Sequence, residues 1–564
     1  MGQSVEEIKG ESQHLRGHLY SDLYESHDMG VSEASRQLLK FFGMYQQDNR
    51  DRRQIRKSAG LPSAYHFMVR IALAGGTLTA QQYCAIDALA DTLGQGDFRL
   101  TSRQAVQLHG VAKGDLAALV TTVQRVGMTT LAGCGDVERN IMSCPAPDPL
   151  RDQVQAIAAQ LSQHLKPRTG AYLELFVEGR RVYEIGETEP LYGERYLPRK
   201  FKTAFAIAGD NCTDVYSDDI GIVVHASNHQ IQQYTILVGG GLGHSHGLPR
   251  TGPYLAQPLG TIARHELVPV VEAILTIQRD YGNRDDRRYA RMKYLVAQWG
   301  IDAFRREVQR RSEVLLQAPP ELVWEAPNDH LGWHEVHAGF GYLGVYIPGG
   351  RMTPTLRSAL RVVLQRYPRD LRITPQHNLL ILDLAEKEAR HIAEMLHNTG
   401  IEPAETISVM RRSSMACVAL PTCGLALAEA ERVFLGVQEA LEREWRELGL
   451  GDENLIVRMT GCPNNCVRVE LAEVGFVGCA PGKYHIYFGG SPYGTRLSQK
   501  FRERVTLDDL VPTVRSVLRW YVEERHPGQS FGDWAHAQGV DTLSRRWEQS
   551  TLLEGRMVRA ENLS

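Results

Sequence analysis

Four cysteines stand in two short motifs, and their type and spacing suit the binding of iron and sulfide. Cys417 and Cys423 are spaced C-x5-C in SSMACVALPTCGLALAEAER, and Cys462 and Cys466 are spaced C-x3-C in MTGCPNNCVR. Thiolates are the ligands an iron–sulfur cluster needs, and four of them complete a cubane. Pro421 and Pro463, with Gly424 and Gly461, keep both loops out of regular helix. Backbone N–H groups are thereby left free to point at sulfur. On spacing alone two other readings stay open: a structural zinc site, which usually has tighter C-x2-C pairs, and four unrelated buried thiols. The remaining five of the nine cysteines carry no motif. Cys134, Cys144 and Cys212 are read as ordinary thiols, Cys84 as a core residue of an amphipathic helix, and Cys479 as a thiol without a partner.

A second pattern is basic. Lys200 and Lys202 in LPRKFK alternate at strand spacing, so both face one side of a strand. In RLTSRQAVQLHG, the residues Arg99, Thr101, Arg103, Gln107 and His109 alternate in the same way and line one face. Taken alone, each stretch reads more readily as a solvated strand face.

The elements that must position these groups include an internal repeat. Phe67–Gly110 and Tyr342–Leu382 each read as an apolar strand, a Gly-Gly turn, an amphipathic helix and a strand opening with R-[LI]-T. Gly76 lies 23 residues before Arg99, and Gly350 lies 22 before Arg372. The second copy keeps Arg372, Thr374, Gln376 and Asn378 in the alternating phase. Such units cross over right-handed, so two copies are expected to pair about a pseudo-two-fold axis. The fold class is therefore α+β (mixed α/β). The expected organisation is an arm over residues 1–66, a duplicated domain over 67–131 plus 332–404, an α/β domain over 132–331, and a cysteine-bearing domain over 405–564. Strands are expected at AYLELFVEG and DIGIVVHA, and helix after Leu267.

Bulk properties narrow the function class. The chain has 564 residues, 43% hydrophobic and 23% charged, with a formal net charge of −3, so nothing biases it toward nucleic acid. No apolar run of about 18 residues appears, and the first twenty residues are polar with early acids. The expectation is a cytoplasmic protein that does not span a membrane. LVGGGLG, Leu237–Gly243, lacks the G-x-G-x-x-G order of a dinucleotide loop.

Together with GMYQQDNRD, RLTSRQAVQLHG, LPRKFK, LVGGGLG, QRDYGNRDDRR, ITPQHNLL, LAEVGFVG and SFGDW, the two cysteine motifs resemble the siroheme sulfite and nitrite reductase family over nearly the whole chain. The wording is closest to the assimilatory sulfite reductase hemoproteins. The resemblance implies a pseudo-two-fold duplicated fold, with three domains around a siroheme and a 4Fe–4S cluster. It makes Cys417, Cys423, Cys462 and Cys466 the cluster ligands, with Cys466 also the axial ligand of the siroheme iron. Arg70, Arg139, Lys200 and Lys202 become the cations that hold sulfite. Arg99, Thr101, Arg103, Gln107, His109, Arg372, Gln376 and Asn378 become donors to the carboxylates of siroheme. His109 is a hydrogen-bond donor here and not an iron ligand. LVGGGLG is then backbone packed against the macrocycle, and Arg284 and Lys293 lie toward the cofactor. The family commonly has Gly where this chain has Asn465; Asn is the residue with a side chain that best tolerates positive φ.

The implied activity is the six-electron reduction of sulfite to sulfide in cysteine biosynthesis, with nitrite reduction to ammonia as the alternative. No flavin or nicotinamide motif is evident, so an electron-donor protein is implied. An NADPH-oxidising flavoprotein subunit, forming a hetero-oligomer, is favoured over ferredoxin.

Overall fold

The computed structural model describes residues 3–177, 189–248, 250–325 and 328–561, with side chains described up to residue 552. The chain divides into two compact units. The first comprises Met1–Gly241 and Tyr254–Thr406; the second comprises Leu242–Pro253 and Ile407–Ser564.

In the first unit, strands β1 (Met44–Asp48), β2 (Tyr65–Ile71), β4 (Phe98–Leu100) and β5 (Val106–Val111) form one sheet in the order β1-β2-β5-β4. The second copy of the repeat builds another sheet, from β10 (Gly332–His337), β11 (Phe340–Val345), β13 (Leu371–Ile373) and β14 (Leu379–Ala385), in the order β10-β11-β14-β13. Each sheet is completed by a two-residue strand of the other copy. β12 (Arg351–Met352) pairs with β4, and β3 (Thr77–Leu78) pairs with β13. The halves thus form two sheets that exchange edges.

The exchange explains the Gly-Gly turns. Gly76 and Gly350 have φ of +76° and +74°. A Cβ on Gly76 would lie 2.5 Å from the Ile373 carbonyl oxygen, and one on Gly350 would lie 2.8 Å from that of Leu100. Only glycine allows both the left-handed backbone and the close approach. Thr79 and Thr353 then cap the helices Ala80–Thr92 and Pro354–Arg366. Between these helices Arg357, 1% exposed, donates to Asp87 at 2.7 Å and to Asp91 at 2.8 Å. Cys84 departs from expectation. It is exposed, because Tyr83, Ile86 and Asp87 take the inward face of its helix.

The RLTSRQAVQLHG stretch is not one strand. It breaks after Leu100 into a turn in which Gln104 adopts φ of +53°. The Thr101 hydroxyl accepts the N–H groups of Arg103 and Ala105. Thr374 does the same for Gln376 and Asn378, and His377 has φ of +70°. Alternation therefore holds for Gln107 and His109 on β5, whereas Arg103 sits on the turn.

The first unit also holds β6 (Thr203–Ile207), β7 (Ile220–Ser227), β8 (Gln230–Val238) and β9 (Gln257–Ala263) in sequential order, with β6 and β7 parallel. DIGIVVHA is β7, and the helix Leu267–Tyr281 follows as expected. AYLELFVEG is helical over Ala171–Phe176, and its last two residues lie outside the described residues. Apolar residues at positions 171, 172, 175 and 176 point inward at helical spacing. The arm packs by Ile8, Leu15, Leu19 and Leu23 into the large core of this unit.

The second unit repeats that last sheet. β15 (Met415–Ala416), β16 (Val457–Thr460), β17 (Val474–Ala480), β18 (Lys483–Phe488) and β19 (Gln499–Thr506) lie in sequence order, with β15, β16 and β17 parallel. Register makes the likeness residue by residue. Ala204 faces Gly221 across β6 and β7, as Arg458 faces Gly475 across β16 and β17. A parallel bridge from Met142 to Ala204 matches the pairing of Met415 with Arg458. Trp445, Tyr521, Phe531 and Trp534 anchor the core of this unit. No helix of the described residues is long and apolar enough to cross a membrane.

Candidate functional site

The four motif cysteines occupy two loops of the second unit. Cys417 follows β15, and its N–H donates to the Met459 carbonyl at 3.1 Å. The loop after β16 returns donors to its sulfur: the Gly461 N–H at 3.3 Å and the Thr460 hydroxyl at 3.4 Å. The Asn464 side-chain amide lies 3.4 Å from the Cys462 sulfur. A Cβ on Gly461 would come within 2.6 Å of Ala419 and of the Ala428 carbonyl, so glycine lets the loops close on each other. Burial, with the neighbouring Cys466, pushes the Cys417 and Cys462 thiols up to about 12. A metal that claims them must displace protons.

Four thiols on two facing loops, with backbone and side-chain donors aimed at the sulfurs of Cys417 and Cys462, fit the ligand set of a 4Fe–4S cluster. Cys466 is the most exposed of the four.

Asn465 has φ of +58° and puts its side chain to use. Its Oδ1 accepts the Val469 N–H at 2.5 Å, and its Nδ2 donates to Glu470 at 2.7 Å. From the short segment 242–253, Gly243 lies against the Asn464 carbonyl, and the His244 N–H donates to the Pro463 carbonyl at 3.0 Å. The preceding glycines of LVGGGLG serve their own half. A Cβ on Gly240 would meet the Tyr216 and Asp218 carbonyls at 2.4 Å, and Gly490 closes on Leu471 and Ala472 in the same way.

The cations lie in the first unit. Arg70 on β2 is the cross-strand neighbour of Gln107. It donates to the Cys134 sulfur at 2.8 Å and to the Gly133 carbonyl at 3.3 Å. Gln107, oriented with its oxygen toward Arg70, accepts from Arg70 Nε at 3.1 Å. Arg139 donates to the Gly135 carbonyl at 3.2 Å. Tyr45 and Cys134 belong to this group although their sequence context assigned them nothing. Burial and then Cys134 push the Tyr45 hydroxyl up to about 12, with Arg139 and Arg70 opposing.

Lys200 and Lys202 flank Phe201, whose backbone bridges to Glu138 just before β6. Burial holds Lys202 down to about 8, against the pull of Asp218, 4.0 Å away. Lys200 is held well below its ordinary value, first by burial and then by Arg199, Lys202, Arg139 and Arg291. It makes no ion pair among the described residues. An ammonium in that setting is stabilised by an incoming anion.

The remaining polar residues divide. Arg103 reaches Asp218 at 2.7 Å and the Asn140 carbonyl at 2.8 Å. Arg99 is buried and faces Gln107 across β4 and β5. His109 bonds Gln47 through Nδ1 at 3.1 Å. Burial, then Arg351 and Arg99, lower it to about 3, so it is neutral at pH 7. In the second copy Arg372 is engaged by Asp152 at 2.7 Å and by the carbonyls of Pro145 and Ala146. Gln376 donates to the Cys212 carbonyl at 2.7 Å, and Asn378 Oδ1 accepts from Ile347 N–H at 3.0 Å. Arg284 pairs with Glu6 of the arm and caps the Tyr196 carbonyl; Lys293 is buried and donates to the Gly241 carbonyl at 2.9 Å. Several buried polar atoms have no partner among the described residues, including Arg103 Nε, His109 Nε2, Gln376 Oε1 and Asn378 Nδ2. The orphaned donors among them, Arg103 Nε and Asn378 Nδ2, fit a polyanionic cofactor that completes them.

Comparison with known proteins extends over most of the chain. A family model described as the nitrite and sulphite reductase 4Fe-4S domain matches twice, at residues 157–316 and 411–551. The nitrite/sulfite reductase ferredoxin-like half domain matches at 61–126 and 334–399. The chain is 39% identical to the sulfite reductase (NADPH) hemoprotein beta-component of Staphylococcus saprophyticus, over 95% of each chain. It is 40% identical to the protein of the same name from Paenibacillus sp. strain JDR-2, again over 95% of each. The sulfite reductase (ferredoxin) of Synechococcus elongatus is 39% identical, over 97% of this chain and 91% of the relative. Among solved structures, the Mycobacterium tuberculosis NirA protein shares the fold with a TM-score of 0.77 at 24% identity, over 96% of this chain and 98% of that one.

Proposed function

The chain belongs to the nitrite and sulphite reductase family, and on that premise we propose that it reduces sulfite to sulfide with the basic and thiol residues described above. When bound, siroheme and the 4Fe–4S cluster supply a metal centre for the substrate sulfur and a local store of electrons. The protein supplies ligands, charge and protons.

The observation that carries the substrate reading is Lys200, a half-buried side chain whose charged neighbours Arg199, Lys202, Arg139 and Arg291 are all cations. With Arg70, Arg139 and Lys202 it fits a small dianion, and fixed cations of this kind stabilise charge without reorganising. Protonated Lys202 donates a hydrogen bond to the anion and holds a proton close to each S–O bond that breaks. Cys417, Cys423, Cys462 and Cys466 hold the cluster, and Cys466 also takes the siroheme iron. Arg99, Arg103, Gln107 and His109, together with Thr101 and the second-copy residues Arg372, Gln376 and Asn378, form the donor set for the siroheme carboxylates.

For the electron donor we favour an NADPH-oxidising flavoprotein subunit in a cytoplasmic hetero-oligomer, in keeping with the names of the bacterial relatives. The test is kcat/KM for sulfite and nitrite, with sulfide and ammonia measured, using the flavoprotein subunit and then reduced ferredoxin as donor. A higher value for sulfite supports the reading; a strong preference for nitrite overturns it. Faster turnover with ferredoxin overturns the donor alone.

A further inference from the structure

The second copy's cluster loops have a counterpart in the first unit that is built differently. Counting from the matched bridges, Cys144 takes the place of Cys417, two residues after Met142 as Cys417 is after Met415. Cys212 takes the place of Cys466, eight residues after Ala204 as Cys466 is after Arg458. The likeness extends to the next turn. Asn211 accepts the Val215 N–H at 2.8 Å as Asn465 accepts that of Val469, and Asp214 and Arg468 have φ of +55° and +56°. Cys462, however, has Ala208 as its counterpart. In place of the missing thiols stand a carboxylate, Asp210, and an imidazole, His330.

We propose that Cys144, Asp210, Cys212 and His330 bind a single zinc ion. One ligand atom from each lies within 4.8 Å of all the others, the compactness one ion requires and a cubane does not. Three of the four are almost fully buried: Cys144, Cys212 and His330 are 2%, 1% and 1% exposed. The His330 Nε2 is 3.6 Å from the Cys144 sulfur, while its Nδ1 lies 3.4 Å from the Tyr342 hydroxyl. That outer contact fixes the ring with Nε2 inward, as partners of metal-bound histidines do. Asp210 holds the Cys212 N–H at 3.1 Å through Oδ1 and turns Oδ2 toward Cys144 at 3.5 Å.

Charge and space agree. Two thiolates and a carboxylate carry three negative charges; zinc supplies two positive ones. Arg151, which the site shares with Asp148, offsets part of the remainder: its Nε lies 3.1 Å from the Cys144 sulfur and its NH2 lies 2.9 Å from Asp210. The residues matching Gln107 and His109 are Leu380 and Leu382, which with Tyr342 pack directly on Cys144 and Cys212. Apolar side chains thus fill the ground beside the thiols, where the first copy has polar ones. Two sulfurs with one nitrogen and one oxygen suit zinc in a closed structural site.

The test is metal analysis of the full-length holoenzyme after exhaustive washing with EDTA, with zinc K-edge absorption spectroscopy on the same sample. The expected result is about one zinc per chain, with about two sulfur neighbours near 2.3 Å and about two nitrogen or oxygen neighbours near 2.0–2.2 Å. Cys212→Ser should lose that zinc while keeping the siroheme absorption and acid-labile sulfide. Arg151→Gln should weaken zinc retention by about 10–100-fold. Absence of zinc, a disulfide-linked peptide joining Cys144 and Cys212 in mass spectra, or zinc surrounded by four sulfurs overturns the proposal. Should Cys212→Ser fail to fold, the absorption spectrum of the unmodified protein decides alone. None of these readouts depends on turnover of sulfite.

Discussion

The two 4Fe-4S-domain copies run the same path, a bridge residue followed by a cysteine, a parallel strand pair, a left-handed turn and a glycine pair that closes over it. Their side chains diverge where chemistry is concerned. At the positions of Lys200 and Lys202 the second copy has Asn454 and Ile456, each two residues apart at the mouth of the matching strand. Where the second copy has Cys462 the first has Ala208. One copy has kept the cations and the other the full set of thiols. Duplication has let a single backbone serve two charges, which a lone copy could hold only by placing thiolates and ammonium groups in one pocket, where each would shift the other.

That contrast breaks first at the cysteines. Cys466→Ser should remove siroheme iron and bring sulfite reduction below detection, with Soret absorbance and labile sulfide measured together. Cys212→Ser, its counterpart, should lose zinc and keep both signals. If the two variants lose the same metals, the copies are not specialised as described.

Lys200→Met comes next. It should retain siroheme and cluster spectra yet lower kcat/KM for sulfite by about 10²–10³-fold, the loss typical of one charge-stabilising donor. Full activity in this variant would remove the anion role from the first copy.

The pH profile gives a smaller effect. Lys202 is held to about 8, so it is protonated below that pH and neutral above it. The kcat/KM profile, which reports groups of the free enzyme, should fall as pH rises through about 8. Lys202→Arg, charged throughout, should move that limb to higher pH. An unmoved limb assigns the titration to another group.

The smallest effect concerns the turns. Asn465→Ala loses two hydrogen bonds and keeps a positive φ, at a cost of about 2–3 kcal/mol by urea unfolding. Asn465→Gly should cost less than Asn465→Ala. Asn211→Ala, losing the matching bond, should cost about 1–2 kcal/mol. Equal losses in Asn465→Ala and Asn465→Gly would say that positive φ adds nothing.

Much of this was legible in residue order. The cysteine spacings, the paired Gly-Gly turns and the positive φ at Asn465 all follow from local chemistry. The second duplication was not visible, because its matches are sparse: M-x-C at Met142 and Met415, and N-C-x-x-V at Asn211 and Asn465. His330 joins Cys144 only through tertiary contact across 186 positions, which no local pattern records. The break after Leu100 was hidden because the left-handed residue is Gln104 and not glycine. AYLELFVEG was misread because a short apolar run fits both the helical and the strand period.

The edge exchange between the ferredoxin-like halves sets a schedule for synthesis. β4 is complete once Leu100 has been translated, yet its partner β12 begins at Arg351, 251 residues later. At ribosomal rates of about 5–20 residues per second, the nascent chain carries an open sheet edge for roughly 12–50 s. An edge of only three residues with a charged Arg99 at its centre offers little to a neighbouring nascent chain. Shortness and charge at β4 thus protect the emerging polypeptide on the polysome, before either half has anything to close it.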